Sequence, residues 1–258
     1  MIDTHCHLHD KQFELDREAT IARAFEGGVT GMLTVGCDLD DSARAITLAQ
    51  RFGLRASVGI HPHEARDAPA GAAAAIVALS KNDRVVAIGE TGLDYYYEHS
   101  PRAEQARVLQ AQIEAARERR LPLIFHHRDA FDDFTAILRR EYDPVSMRGV
   151  VHCFTGDAPQ ARTFVDEFGL ALGIGGVVTF ANAQPLRDAV RAVGLSAIVL
   201  ETDSPYLAPV PMRGRRNEPA FVAHTARKLA EILKVELAEV LDATDRNALA
   251  LFGTPWTR

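Results

Sequence analysis

A (β/α)8 barrel, the TIM-barrel form of the α/β class, is the fold this sequence predicts, and three observations predict it. The chain has 258 residues, a length at which an α/β barrel runs as one domain, expected here over 1–258. Short apolar runs alternate with longer stretches of helical periodicity, the pattern of βα units around a parallel sheet. Eight such runs can be counted, and the first ends in histidines. The competing architecture, a doubly wound open sheet, more often shows five or six strands and a glycine-rich phosphate turn after the first.

The expected strands, in chain order, are Ile2–His5, Gly31–Val35, Arg55–Ile60, Val85–Gly89, Leu121–His126, Gly149–His152, Leu170–Ile174 and Ile198–Leu200. Each is a β-branched or leucine-rich run bounded by polar residues or glycine. Between them the spacing predicts amphipathic helices over Arg17–Glu26, Asp41–Arg51, Arg102–Arg119, Ala130–Glu141, Ala158–Glu167 and Gln184–Val193, with Glu218–Leu233 closing the ring. The one low-complexity run is the Ala-rich stretch at 70–75, and no linker rich in Gly, Ser or Pro divides the chain.

Composition narrows the class of function. Hydrophobic residues make up 47% and charged residues 25%, which excludes a disordered or collagen-like chain. A net charge of -6 disfavours a surface that coats duplex DNA, so a nucleic acid would have to be gripped locally. The three cysteines, Cys6, Cys37 and Cys153, have no CxxC spacing, so neither a disulfide framework nor a cysteine-built zinc site is indicated. No run has the apolar length of a membrane span, and the start Met1-Ile2-Asp3-Thr4-His5 lacks the regions of a signal peptide. A cytoplasmic protein is expected, without a membrane or an obligate protein partner.

Active sites of this fold lie at the C-terminal ends of the strands. Of ten histidines, His5, His7, His61, His63, His126, His127 and His152 fall at such ends. In Asp3-Thr4-His5-Cys6-His7 the period of two puts His5 and His7 on one face and Cys6 on the other. The fourth strand brings out Glu90, a carboxylate able to bridge two ions. After the fifth, His126 and Arg128 share a face and His127 takes the opposite one. His152 ends the sixth strand, and Glu201 and Asp203 follow the eighth on one face. Imidazole plus carboxylate suits Zn, Mn, Ni, Fe(II) or Co, with Mg where carboxylates dominate. Six or seven ligands suggest two divalent ions, which together would acidify a water from a pKa of 15.7 toward about 7 and stabilise the attacking and leaving oxygens of a phosphoryl or acyl transfer. Asp203 is the natural acceptor for that water's proton. Glu201 is either a further ligand or a support for the others.

Other features carry two readings each. His61-Pro62-His63-Glu64 is a stiff solvated turn or a substrate contact or further ion site. Arg213, Arg215, Arg216 and Asn217 form a loop whose guanidinium forks suit phosphate, or a solubilising surface; Arg128, beside His126, favours the anion reading. Tyr95, Tyr96, Tyr97, Phe154 and Tyr206 stack bases at the rim or pack under loops. His9, His99, His127 and His224 are expected at the surface or behind the ligands.

The segments DTHCHLHD, GIHPHE, VAIGETGLDYYY, FHHRDA, VHCFTG, GIGGVVTF and LETDSPYLAPVPMRGRRNEP, spread over nearly the whole chain, resemble the TatD family of metal-dependent hydrolases among the amidohydrolase-like barrels, and most closely its YcfH-like branch. The resemblance implies that His5 and His7 hold one ion, Glu90 bridges two, His126 and His152 serve the second, and Asp203 completes the first and accepts the proton. It further implies a deoxyribonuclease, often of the 3′-to-5′ exonuclease type, cleaving DNA phosphodiester bonds. Hydrolysis of D-aminoacyl-tRNA, or of another ester or amide at the same dinuclear site, is the alternative.

Overall fold

The computed structural model describes residues 1–253 and Trp256; positions 254, 255, 257 and 258 of the expected unit lie outside the described residues. Eight parallel strands form one sheet in the order β1-β2-β3-β4-β5-β6-β7-β8. They are β1 Ile2–Cys6, β2 Gly31–Val35, β3 Arg55–Val58, β4 Val85–Asp94, β5 Leu123–Arg128, β6 Gly149–Val151, β7 Ala171–Ile174 and β8 Ile198–Leu200. The circuit closes just beyond β8, where Asp203 N–H donates to His5 O at 2.9 Å and His7 N–H to Ser204 O at 2.7 Å. The helices are α1 Arg17–Glu26, α2 Leu39–Phe52, α3 Ala72–Leu79, α4 Arg102–Arg119, α5 Phe131–Glu141, α6 Ala158–Arg162, α7 Gln184–Val193, α8 Val222–Leu233 and α9 Leu237–Phe252. The barrel expected from the alternation of short and long periods is thus the one observed.

Two helices went unanticipated, for different reasons. Residues 72–79, AAAAIVAL, have no polar face, so no amphipathic contrast marks α3, which sets the buried Ile76 toward the barrel. Beyond the ring-closing α8, α9 follows after a left-handed Lys234 (φ 57°) and turns Ala248, Leu251 and Phe252 into the foot of the barrel. There they join Trp256 and the side chains of Ile2, Leu33, Val35, Val86, Ile124, Val150 and Val199 in an inner core. A second, larger core lies between the sheet and the surrounding helices and includes Phe125, Phe134 and Phe164. A barrel filled from below leaves its polar end free to build a site at the top.

Strand ends moved by a few residues, and one shift matters. The fourth strand was expected to stop at Gly89, but β4 runs on to Asp94 with all ten residues buried. Gly92, at φ 154°, makes the extension possible: a Cβ there would meet His126 O at 1.8 Å, so only glycine lets β5 pair this closely. The fifth strand slides two residues C-terminal, and His127 and Arg128 join His126 in it. The expected helix 158–167 is α6 followed by a wider π turn at Thr163–Glu167, which carries Phe164 inward. That ring meets Phe131, Phe134 and Phe154 at centroid distances of 5.5, 5.9 and 6.1 Å. Phe164→Ala is expected to cost about 3–5 kcal/mol, read as a lower urea midpoint at unchanged slope.

Candidate metal centre

Alternation along β1 places the first pair. The Cys6 thiol points outward and donates to Leu33 O at 3.2 Å, while His5 and His7 turn inward with their Nε2 atoms 3.3 Å apart. His7 Nδ1 lies 3.0 Å from Val35 O. A carbonyl only accepts, so Nδ1 carries a hydrogen and Nε2 is the nitrogen turned to the site, donating to Asp203 or, once that proton is displaced, offering a lone pair. Around these nitrogens stand carboxylate oxygens: Glu90 Oε2 is 3.3 Å from His5 Nε2, and Asp203 Oδ1 is 3.4 Å from His7 Nε2.

The other oxygen of Glu90 faces a second set. Its Oε1 lies 2.9 Å from His126 Nδ1, 2.9 Å from His152 Nε2 and 3.4 Å from His61 Nε2. His126 Nε2 sits 3.0 Å from Asp94 Oδ2. Burial pushes the Asp94 carboxyl up, but hydrogen bonds from His126, His63 and the Tyr97 backbone outweigh it and hold it well below the usual range. An anionic Asp94 accepts, so His126 keeps a hydrogen on Nε2, while Nδ1 faces Glu90, donating to it or, once that proton is displaced by an ion, turning a lone pair inward.

His61 behaves differently. Its Nδ1 caps a short turn by accepting the His63 N–H at 3.1 Å. Burial lowers its pKa to about 4, so it is neutral and must carry its hydrogen on Nε2. His61, Glu90 and His126 do bring ligand-type atoms within 4.8 Å of one another, but this tautomer makes His61 a donor aimed into the site. That favours substrate contact over ligation.

Two convergent sets of imidazole nitrogens and carboxylate oxygens are what divalent ions would satisfy by displacing the hydrogens between them; the residues fit such a group. Burial would raise Glu90, yet His152, His61, His5 and His126 outweigh it and hold it far below the ordinary carboxylate range. Asp203 is also held low, since the hydrogen bond from His7 and the charges of His152, His7 and His5 overcome its burial. Both carboxyls are therefore anionic.

The site opens into a cleft of about 910 Å³ lined by His126, His152, Asp203, Arg128, Tyr96 and Phe180. Arg128 stacks over Tyr96 at 4.1 Å and Tyr97 at 5.0 Å, so its charge stands at the mouth. His63 Nε2–H donates to Asp94 Oδ2 at 3.0 Å. Arg213 covers the Phe180 ring at 3.8 Å, and Arg215 is exposed.

Several expectations change here. Arg216 does not point its fork outward: it donates twice to Asp16, at 2.7 Å each, and to Gln12 O, above the Phe13 ring. It clamps the loop after β8 onto α1, so it leaves the phosphate-gripping set. Asn217 is buried and donates to Thr202 O and Tyr206 O, which makes it a loop brace. Phe154 packs on Phe164 in the outer core, whereas Tyr96, Tyr97 and Tyr206 are exposed. His127 packs among Phe131, Phe134 and Phe164, and His9 is tied between Thr34 Oγ1 and Asp41 Oδ2 at 2.8 Å each.

Asp94 was not foreseen, although it stands two and four residues after Gly92 and Glu90, on the face that the period of two assigns to the site. Asp3 was also passed over; burial foremost raises its pKa to about 8, and it accepts from the N–H and hydroxyl of Thr202, lashing β1 to the end of β8. In Asp94→Asn the amide would confront His126 Nε2 with a donor and drive its proton to Nδ1. Metal affinity is expected to fall about 10- to 100-fold in competition with a chelating indicator; an unchanged affinity would remove Asp94 from this role.

A family model described as TatD related DNase matches residues 2–253. The chain is 38% identical to the uncharacterized metal-dependent hydrolase YabD of Bacillus subtilis over 98% of both chains. It is equally 38% identical to the 3′-5′ ssDNA/RNA exonuclease TatD of Salmonella typhimurium, again over 98% of both. The crystal structure of YJJV, a TatD homologue from Escherichia coli, superposes with a TM-score of 0.92 at 31% identity, covering 99% of this chain and 98% of that one. Matched by that model over residues 2–253 and 38% identical to YabD over 98% of its length, the chain belongs to the TatD-related DNase family.

Proposed function

We propose that this chain is a two-ion deoxyribonuclease that removes nucleotides from DNA strand ends, in the 3′-to-5′ sense, on one barrel spanning 1–258. The observation that carries the reading is the division of Glu90: one oxygen faces His5, beside His7 and Asp203, and the other faces His126 and His152. A carboxylate so placed is suited to bridge two ions, with Zn, Mn, Mg, Ni and Co all compatible with the ligand types. The relative named as a 3′-5′ ssDNA/RNA exonuclease supports the substrate.

When bound, two divalent ions would acidify a water and neutralise charge on the phosphoryl oxygens. The chain's own residues supply the rest. Asp203, held anionic and open to the cleft, takes the proton that the attacking water loses. His61 Nε2–H donates to a phosphoryl oxygen, and its neutral state at ordinary pH keeps that hydrogen in place. Arg128, braced on Tyr96 and Tyr97, holds a flanking phosphate, with His63 beside it and Arg215 at the outer rim. The exposed faces of Tyr96, Tyr97 and Tyr206 offer stacking surfaces for unpaired bases.

Metal-stripped protein re-supplied with Mg, Mn or Zn should shorten a 3′-labelled single-stranded DNA, and Asp203→Ala should not. Release of the amino acid from a D-aminoacyl-tRNA, with DNA left intact, would transfer the chemistry to an acyl bond. Arg128→Ala should raise KM for DNA about tenfold and flatten its salt dependence by roughly one phosphate contact. Arg216→Ala, by contrast, should lower the melting temperature and leave the salt slope unchanged; a flattened slope would return Arg216 to the phosphate contacts.

A further inference from the structure

Among the described residues, three buried polar atoms without a hydrogen-bond partner belong to adjoining side chains: His5 Nδ1, His152 Nδ1 and Glu201 Oε2. These three residues bring ligand-type atoms within 4.8 Å of one another. The rings of His5 and His152 are stacked, 3.7 Å between centroids and 16° from parallel. Glu201, 1% exposed, sets Oε1 3.5 Å from His152 Nδ1 and accepts the Cys153 N–H on the same oxygen at 2.5 Å. Space for the carboxylate comes from β7, where a Cβ on Gly173 would meet Glu201 Oε2 at 2.2 Å.

The chemistry of imidazole decides what this cluster does. A neutral ring has one lone pair and one N–H. His5 and His152 both turn Nε2 toward Glu90, one at each of its oxygens. If the Nε2 lone pairs serve the ions, each ring keeps a buried Nδ1–H that needs an acceptor. A further ion among His5, His152 and Glu201 would instead need both nitrogens of both rings as lone pairs, which a neutral imidazole does not have. We infer that Glu201 is a positioning residue: it accepts the Nδ1–H of His5 and of His152, and so orients one histidine of each ligand set. This rests on the two-set centre proposed above. One carboxylate then supports both ions, which Asp94, behind His126 alone among the proposed ligands, does not.

Wild-type protein loaded with zinc provides the first test. Nitrogen-15 spectra of the imidazoles should show His5 and His152 as Nδ1–H tautomers bound through Nε2, and the opposite tautomer at either ring overturns the assignment. Calorimetric titration of metal-free Glu201→Gln with zinc provides the second. Its Oε1 would remain on the Cys153 N–H as a neutral amide oxygen, so the negative charge is lost and an N–H replaces Oε2, leaving one carbonyl oxygen with two lone pairs for three donors. Both binding steps are expected to weaken about 10- to 100-fold with an unchanged circular dichroism spectrum; weakening of one step, or of neither, overturns the inference. Gly173→Ala should weaken both steps as well by displacing the carboxylate, and if Glu201→Gln fails to fold the wild-type tautomers decide. None of these readouts uses DNA, so a failure to cleave DNA would strike the nuclease reading alone, whereas a single zinc step in the wild type would overturn the two-set centre and this role with it.

Discussion

A carboxylate buried to 2% exposure at the mouth of a hydrophobic barrel is costly unless it is compensated, and Glu90 is compensated on both oxygens at once. The imidazoles around it keep it charged, and it in turn fixes where their nitrogens converge. Each neighbour is then held by what its remote nitrogen does: His7 on Val35 O, His126 on Asp94. The centre is an arrangement of nitrogens fixed by the partners of their remote atoms. Side chains that look alike in the sequence differ in which nitrogen their neighbours claim, and so a neutral His126 would offer the centre a lone pair while a neutral His61 offers it a hydrogen.

Rigid support underlies that arrangement. The inner core, plugged from below by α9, sets the barrel's interior side chains, and the outer core sets the helices. The end of β8 carries Asp203 without regular sheet pairing, so other bonds hold it: Asp3 to Thr202, Asn217 to the carbonyls of Thr202 and Tyr206, and Arg216 to Asp16. These contacts spend polar groups on geometry, and they leave Arg128, His63 and the exposed tyrosines to meet a substrate.

The candidate site was legible where local periodicity suffices. Alternation alone separated His5 and His7 from Cys6, and His126 from His127, because neighbouring side chains on a strand face opposite ways whatever the rest of the chain does. The same rule would have reached Asp94 had β4 been carried past Gly89; a glycine is a weak strand former, and its tolerance at φ 154° shows only when β5 lies against it. Arg216, after β8, was misjudged for a related reason. Charge in a loop says nothing of which partner it meets, and Asp16, two hundred residues away, claimed Arg216.

The sequence by itself determined the barrel, the strand ends at which the polar residues gather, and the chemical types gathered there, since these follow from periods of two and 3.6 and from the donor atoms of each residue type. Only the tertiary structure decided the helix that fills the foot of the barrel, the division of Glu90 between two sets, the nitrogen that each histidine turns inward, and the placement of Asp94 and Glu201 behind them. Those depend on distances between strands far apart in the chain, and a hydrogen bond exists only where folding brings its donor and acceptor within about 3 Å.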